Sequence, residues 1–265
     1  MKIAVLGAGN MGRWLVRELA PDHEVCVHDP VPSRTEGLGS VTIARDMGAI
    51  ADFEPGLFIN AVSLKNTIAA FEAAVPVLPP DCILADVASV KGAIPDYYRS
   101  LPGRRFASFH PMFGPTFANI SRLEDENVII IRESDPDGAG FFREFFRTRG
   151  VRIHEYSFEQ HDRLIAYSLT LPFASTMVFA ACMNSATVPG TTFKRHLEIA
   201  KGLLSEDNDL LAEIIFSPHS LAQLEGVTAR LEFLKHIIMA RDTDEAVAFF
   251  ENLRHNLRST GVPFS

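Results

Sequence analysis

The chain has 265 residues, with 25 Lys and Arg against 33 Asp and Glu, a formal net charge of −8. With 47% apolar and 22% charged residues it has ordinary globular composition, and its length allows one large domain or two modest ones able to bury a core without disulfide or metal staples. The acidic balance excludes general binding to nucleic acid or anionic membrane, which needs a positive field, and it requires any anionic ligand to be met by locally gathered positive charge.

In chain order, strand-length apolar runs occur at Ile3–Leu6, Glu24–His28, Leu57–Val62, Ile83–Val87, Arg105–Phe109 and Val128–Ile131, separated by turns or by helical stretches such as Trp14–Ala20 and Thr67–Val77. Nearly continuous apolar strands alternating with helices predict a parallel sheet covered on both faces. With right-handed crossovers this is a doubly wound α/β domain. Phe141, Phe142, Phe145 and Phe146 repeat at helical spacing and read as core. Near residue 157 the pattern changes. Ser157 and Gln160 form a capping box that opens a long helix from Phe158 to about Asn184. Further helices are expected over about Thr192–Leu204, from Ser205 through Phe216, from the Ser217-Pro218 cap to about Ala240, and over Thr243–Leu257. No strand signal follows residue 157. The expected architecture is a doubly wound, Rossmann-type parallel sheet over residues 1–157 followed by an all-helical domain over 158–265.

Cys26, Cys82 and Cys182 are odd in number and form no CxxC pair, so they read as reduced thiols. Met1-Lys2 runs straight into an apolar strand, without a secretory signal pattern, and a cytoplasmic protein is expected. The apolar stretch Leu171–Met183 contains Ser and Thr and reads as a buried core helix too short to span a bilayer.

Gly7-Ala8-Gly9-Asn10-Met11-Gly12 is a GxGxxG loop between a strand and a helix, the context in which that pattern binds a dinucleotide. Gly7 makes the tight turn, Gly9 admits a pyrophosphate to the backbone, and Gly12 lets helix and strand pack closely. The amides of Gly9, Asn10, Met11 and Gly12 at the helix start are the expected pyrophosphate ligands. Asp29, 22 residues after Gly7, would bond ribose hydroxyls and repel a 2′-phosphate, favouring NAD over NADP. Arg34 stands close enough in sequence to offer such a phosphate a cation.

Two loops should lie at the carboxyl edge of the sheet, where doubly wound folds bind ligands. Asp86-Val87-Ala88-Ser89-Val90-Lys91 follows one apolar run, and His110-Pro111-Met112-Phe113-Gly114-Pro115 follows another. His110 there can take a proton from a substrate hydroxyl, Ser89 can orient it, and Lys91 adds positive charge. The bland alternatives are that Ser89 only caps a helix and that His110 is only a turn residue stiffened by Pro111.

These two segments behind the glycine loop resemble the prephenate dehydrogenase family of tyrosine biosynthesis. The run at 110–115 is especially similar to the form in bifunctional chorismate mutase–prephenate dehydrogenases. Glu159-Gln160-His161-Asp162 is similar to that family's E-x-H-D segment, and the resemblance extends into Leu197-Glu198-Ile199-Ala200 and Ala212-Glu213-Ile214-Ile215. It implies NAD-dependent oxidative decarboxylation of prephenate to 4-hydroxyphenylpyruvate, with His110 and Ser89 catalytic and no metal. It also implies cations for the substrate carboxylates, for which Lys91, Lys194, Arg195 and Lys201 are the candidates, and a homodimer formed through the helical domain. Two departures stand out. Thr170 and Phe173 occupy positions where the family carries histidines, and lysine replaces at least one expected arginine, without arginine's bidentate fork. Arogenate is therefore an alternative substrate. His161 reads as structural or catalytic, His219 as a surface residue. Another hydroxyacid dehydrogenase, or a non-catalytic dinucleotide-binding regulator, are the remaining alternatives.

Overall fold

The computed structural model describes residues 1–114, 123–184, 188–205 and 208–259. Eight strands form one sheet: β1 (Lys2–Leu6), β2 (Glu24–His28), β3 (Thr42–Ile43), β4 (Leu57–Asn60), β5 (Ile83–Asp86), β6 (Phe106–Pro111), β7 (Asn127–Ile131) and β8 (Arg152–Tyr156). Their spatial order is β3-β2-β1-β4-β5-β6-β7-β8. The chain winds outward from β1 in one direction and then, from β4, in the other, so the topological switch lies between β1 and β4.

The two-residue period of a strand explains why the central runs are apolar throughout. In β1, Ile3 and Val5 face a core that contains Leu15, Phe109, Phe142 and Phe146, while Ala4 and Leu6 face a second one with Phe58, Phe71, Leu84 and Tyr98. The first core is closed by α1 (Asn10–Leu19) and α5 (Pro136–Arg147), where Trp14 meets Phe113 and Phe145 edge-on. The second is closed by α2 (Met47–Phe53), α3 (Thr67–Ala74) and α4 (Ile94–Arg99).

The sheet is parallel, as expected, except at one edge. β7 pairs antiparallel with β6, and β8 is parallel to β7. Among the described residues the β6–β7 connection contains a short 3-10 turn at Leu123–Asp125 and no crossover helix of the kind that usually returns a parallel strand. The β7–β8 connection has such a crossover in α5, and that pair is parallel.

All strands precede Ser157, whose hydroxyl caps α6 (Phe158–Ile165) in the expected box with Gln160. The described remainder is helical: α7 (Leu171–Ala181), α8 (Thr191–Leu204), α9 (Asn208–Ile215), α10 (Ser220–Ala240) and α11 (Thr243–Ser259). The single helix expected over 158–184 is interrupted by a π turn at Ala166–Thr170. Pro172, in the first turn of α7, has no N–H for the helical ladder, and the wider turn just before it accommodates that loss. The expectation that Leu171–Met183 is a buried core helix is also corrected. The helical stretch Phe158–Ala181 is 24 residues and holds an 18-residue window with a mean hydropathy of 1.6, long and apolar enough by length and composition to cross a membrane. Its first half is fixed against the sheet by the buried His161 and Ile165, but α7 buries no side chain fully.

Candidate active site

The glycine loop leaves β1 at Gly7, whose φ of +95° is open to glycine, and a Cβ there would lie 2.7 Å from the Ala61 carbonyl oxygen. A Cβ on Gly12 would lie 2.0 Å from the Gly7 carbonyl oxygen. The protein itself therefore requires both glycines. Gly9 differs: a Cβ there would meet nothing within 4 Å, so the space it leaves is open to a ligand. Behind it, α1 begins without a side-chain cap, with Gly9 at its N-cap and Asn10, Met11 and Gly12 in its first turn. This arrangement fits a pyrophosphate, which helix-start amides bind without side-chain charge.

Asp29 follows β2 and is buried. Its carboxylate accepts from the amides of Ala8 and Val31, both at 2.8 Å, and so ties the glycine loop to the end of β2. Arg34 approaches the same carboxylate at 3.7 Å, and its carbonyl accepts from Arg13. Acid and base thus stand together at the end of β2, beside the glycine loop.

His110 is the penultimate residue of strand β6, buried, three strands from β1 along the same carboxyl edge. At about 4.8 Å per strand the two features are roughly 14 Å apart, so a ligand reaching both must be extended. His110 Nδ1 is 3.0 Å from Nε2 of His161, which is fully buried in α6. His161 Nδ1 is 2.8 Å from Asp162 Oδ1. The backbone amides of Lys91 and Gly92 donate to the two oxygens of Asp162 at 2.9 and 3.0 Å.

Only one set of tautomers satisfies this chain. Asp162 is an acceptor, so His161 carries its proton on Nδ1 and presents a lone pair at Nε2. His110 must then donate from Nδ1, leaving its own Nε2 as a lone pair, the arrangement of a general base. Burial holds His110 well below the ordinary imidazole value, and the neighbouring His161 and Lys91 add to this. Burial also lowers His161, against the opposing pull of Asp162. Burial pushes the Asp162 carboxyl up, but the hydrogen bonds from His161 and the Lys91 and Gly92 amides bring it below its usual range. The pair is neutral near pH 7 and ready to accept a proton.

Lys91, expected to face substrate, is fully buried instead. Its ammonium donates to Asp86 Oδ1 at 2.7 Å and to the Phe109 carbonyl at 2.9 Å, and Tyr98 donates to the other Asp86 oxygen at 2.9 Å. An aspartate closing a buried strand needs such a cation, because an unpaired charge there would be strongly unfavourable. Ser89 is half-buried in the loop after β5 and makes no hydrogen bond to another described residue, so it is His161 that orients His110. Lys194, Arg195 and Lys201 lie exposed on α8, which packs on α7; Lys201 pairs with Glu198, and none of the three bonds to the His110 network. Thr170 turns into the helical domain, where it bonds Ser220 at 2.7 Å, and Phe173 packs against an apolar cluster around Ile165 and Ile214. His219 is half-buried, and Pro115 lies outside the described residues.

The sequence reading did not identify Asp162 as the anchor of the histidine pair, nor Tyr98 as a partner of Asp86. The E-x-H-D segment was the available signal for the first; only the fold brings His161 to His110, 51 positions away.

No family model matches the chain. The T-protein of Enterobacter agglomerans is 27% identical over 175 residues, covering 63% of this chain and 46% of that protein. Arogenate dehydrogenase 2, chloroplastic, of Arabidopsis thaliana is 23% identical over 260 residues, covering 91% and 71%. The similarity is to the prephenate dehydrogenase family. The chain spans about half the length of the first curated relatives it matches. In fold it matches the crystal structure of prephenate dehydrogenase from Aquifex aeolicus in complex with hydroxyphenyl propionate and NAD+, with a TM-score of 0.84 at 18% identity over 98% of each chain. The similarity to this family agrees with the motifs at 7–12, 86–91, 110–115 and 159–162.

Proposed function

We propose that the chain is a prephenate dehydrogenase, using NAD to convert prephenate to 4-hydroxyphenylpyruvate and carbon dioxide. The observation that carries the proposal is the His110–His161–Asp162 chain, which presents a neutral base at the sheet edge shared with the glycine loop. The backbone amides of Gly9–Gly12 would hold the pyrophosphate, and Asp29 the ribose hydroxyls, favouring NAD. NAD, when bound, supplies the hydride acceptor. His110 Nε2 accepts the proton of the ring hydroxyl as hydride leaves the carbon that bears it. His161 and Asp162 stabilise the imidazolium that results. Loss of the ring carboxylate as carbon dioxide then leaves an aromatic phenolate, which takes the proton back from His110 to give the phenol, and the gain of aromaticity makes the reaction effectively irreversible. Positioning and proton removal are the protein's main tasks. Ser89, on the loop between Asp86 and Lys91, is proposed to contact the same hydroxyl.

Arogenate is the second reading. With Lys91 engaged by Asp86, the positive charge left for a dianion is reduced to Lys194, Arg195 and Lys201, and arogenate carries an ammonium where prephenate has a ketone. Assaying each substrate with NAD and with NADP separates the readings. Absorbance at 340 nm should rise with prephenate and NAD. A rise with arogenate alone would select the second reading, and flat traces in all four combinations with folded protein would refute both.

A homodimer through the helical domain belongs to this proposal. Twenty of the twenty-four exposed large apolar side chains among the described residues lie after residue 157, including Leu221, Leu231, Ile238 and Met239 on α10. So much exposed apolar surface in one domain favours a protein interface. Sedimentation should give a dimer at micromolar concentration, and a monomer would contradict this.

A further inference from the structure

Lys91 holds an unusual place in the fold. Its side chain bonds Asp86 at the end of β5 and the carbonyl of Phe109, the residue before His110. Its own amide bonds Asp162, the far end of the histidine chain. One residue therefore touches the strand that carries the proposed base and the carboxylate that sets its tautomer, while the Ala88 amide donates to the same Asp86 oxygen and Tyr98 to the other. A buried ion pair with no further purpose needs only the contact with Asp86.

We propose that Lys91 is a positioning residue for His110, bracing both ends of the His110–His161–Asp162 chain and fixing the orientation of the His110 ring. It is thereby assigned a role different from carboxylate binding. The catalytic meaning of this role rests on the reading of His110 as a general base, but the bracing itself does not. Among the described residues, the charged and titratable groups around His110 are His161 and Asp162 from α6, Asp86 and Lys91 from β5 and its loop, and Tyr98 from α4. Of these, Lys91 is the fixed cation that opposes protonation of His110.

The test is an NMR titration of the histidine ring nitrogens in the full chain, without substrate or cofactor, for the wild type and two variants. In Lys91→Met the cation is lost and the Asp86 carboxylate is left uncompensated, so His110 should titrate about 1 pH unit or more higher. In the double variant Asp86→Asn/Lys91→Met the shift keeps its sign but shrinks. In both, the Nδ1-protonated signature of His110 should weaken, and the acid limb of kcat/KM should move up with the titration.

If Lys91→Met does not fold, the double variant, which leaves no buried charge unpaired, carries the test. Unchanged His110 titration and tautomer in a folded variant would overturn the proposal. Failure of the double variant to fold would also overturn it, by showing that Lys91 serves the core rather than His110. Because the titration needs no turnover, a wild type inactive on prephenate and arogenate would refute the dehydrogenase reading while leaving this result readable.

Discussion

Replacing Asp162 with Asn is the sharpest test of the proposed base. The carboxylate accepts three bonds, from His161 Nδ1 at 2.8 Å, the Lys91 amide at 2.9 Å and the Gly92 amide at 3.0 Å. An amide has one oxygen to accept them and an NH2 that only donates. If the Asn oxygen faces His161 and Lys91, its NH2 opposes the Gly92 N–H. That leaves a donor unpaired at a cost of about 1–3 kcal/mol, and the bond to His161 loses its charge assistance, worth roughly 1 kcal/mol. If the amide is flipped, His161 must carry its proton on Nε2 and donate to His110 Nδ1, so the His110 lone pair turns away from the substrate.

The two orientations differ in their kinetic effect. At 1.36 kcal/mol per tenfold, the first lowers kcat/KM by about 5-fold. The second removes the base, which general-base catalysis sets at 10²–10⁴-fold, the scale of loss when an aspartate that fixes a histidine tautomer becomes Asn. The assay is NADH formation at 340 nm with prephenate and with arogenate, paired with ring-nitrogen NMR to read which tautomer is present. Thermal unfolding should fall by about 2–10 °C for the lost bond at this chain length. A folded Asp162→Asn variant with kcat/KM within twofold of wild type and the tautomers inverted would refute the reasoning, because a base facing the wrong way would then be working.

Gly9→Ala should leave the melting temperature within a few degrees but weaken NAD binding at least 10-fold by calorimetry, since only a ligand competes for the space the methyl enters; Gly12→Ala, with its Cβ 2.0 Å from the Gly7 oxygen, should destabilise the fold itself. Asp29→Asn should lower the ratio of KM for NADP to KM for NAD by about 10-fold or more by removing the charge that repels a 2′-phosphate, and an unchanged ratio would remove Asp29 from cofactor selection. The buried histidine pair should also shape acid stability. Because His110 and His161 titrate below their ordinary value when folded, the unfolded chain binds more protons from about pH 6.5 downward; their contribution is complete above that pH and is lost as the pH falls through the window beneath it. Urea midpoints at pH 7, 6 and 5 should therefore decline, less steeply in His110→Asn, and equal slopes would contradict the assignment.

What the sequence disclosed and what it withheld divide along a physical line. β1, β4 and β5 were legible because both of their faces are buried and all but one residue of each is apolar. β8 was not, because Arg152, His154 and Glu155 on that edge strand look like a solvated turn when read alone. β3 is two exposed residues, too short for any periodicity to register. The Ser157–Gln160 box located the start of α6 because capping is local chemistry, whereas the π turn eight residues later depends on how Thr170 and Pro172 are accommodated in the folded domain.

The same distinction explains the site. The glycine loop is a local motif, and its geometry follows from the residues within it and one carbonyl across the sheet. Lys91 was read as a cation for the substrate because a lysine near a ligand-binding edge is usually solvated. The contrary signal was Asp86, five residues earlier at the end of an apolar run: a carboxylate that must be buried if the strand is, and which therefore requires a nearby cation. Reading the demand of the acid before the availability of the base would have placed Lys91 inside. It would also have shown that the positive charge left for a substrate is smaller than the sequence suggests, which is why prephenate and arogenate have to be told apart by assay and why Lys194 and Arg195, unpaired among the described residues, are the cations whose replacement should raise KM most.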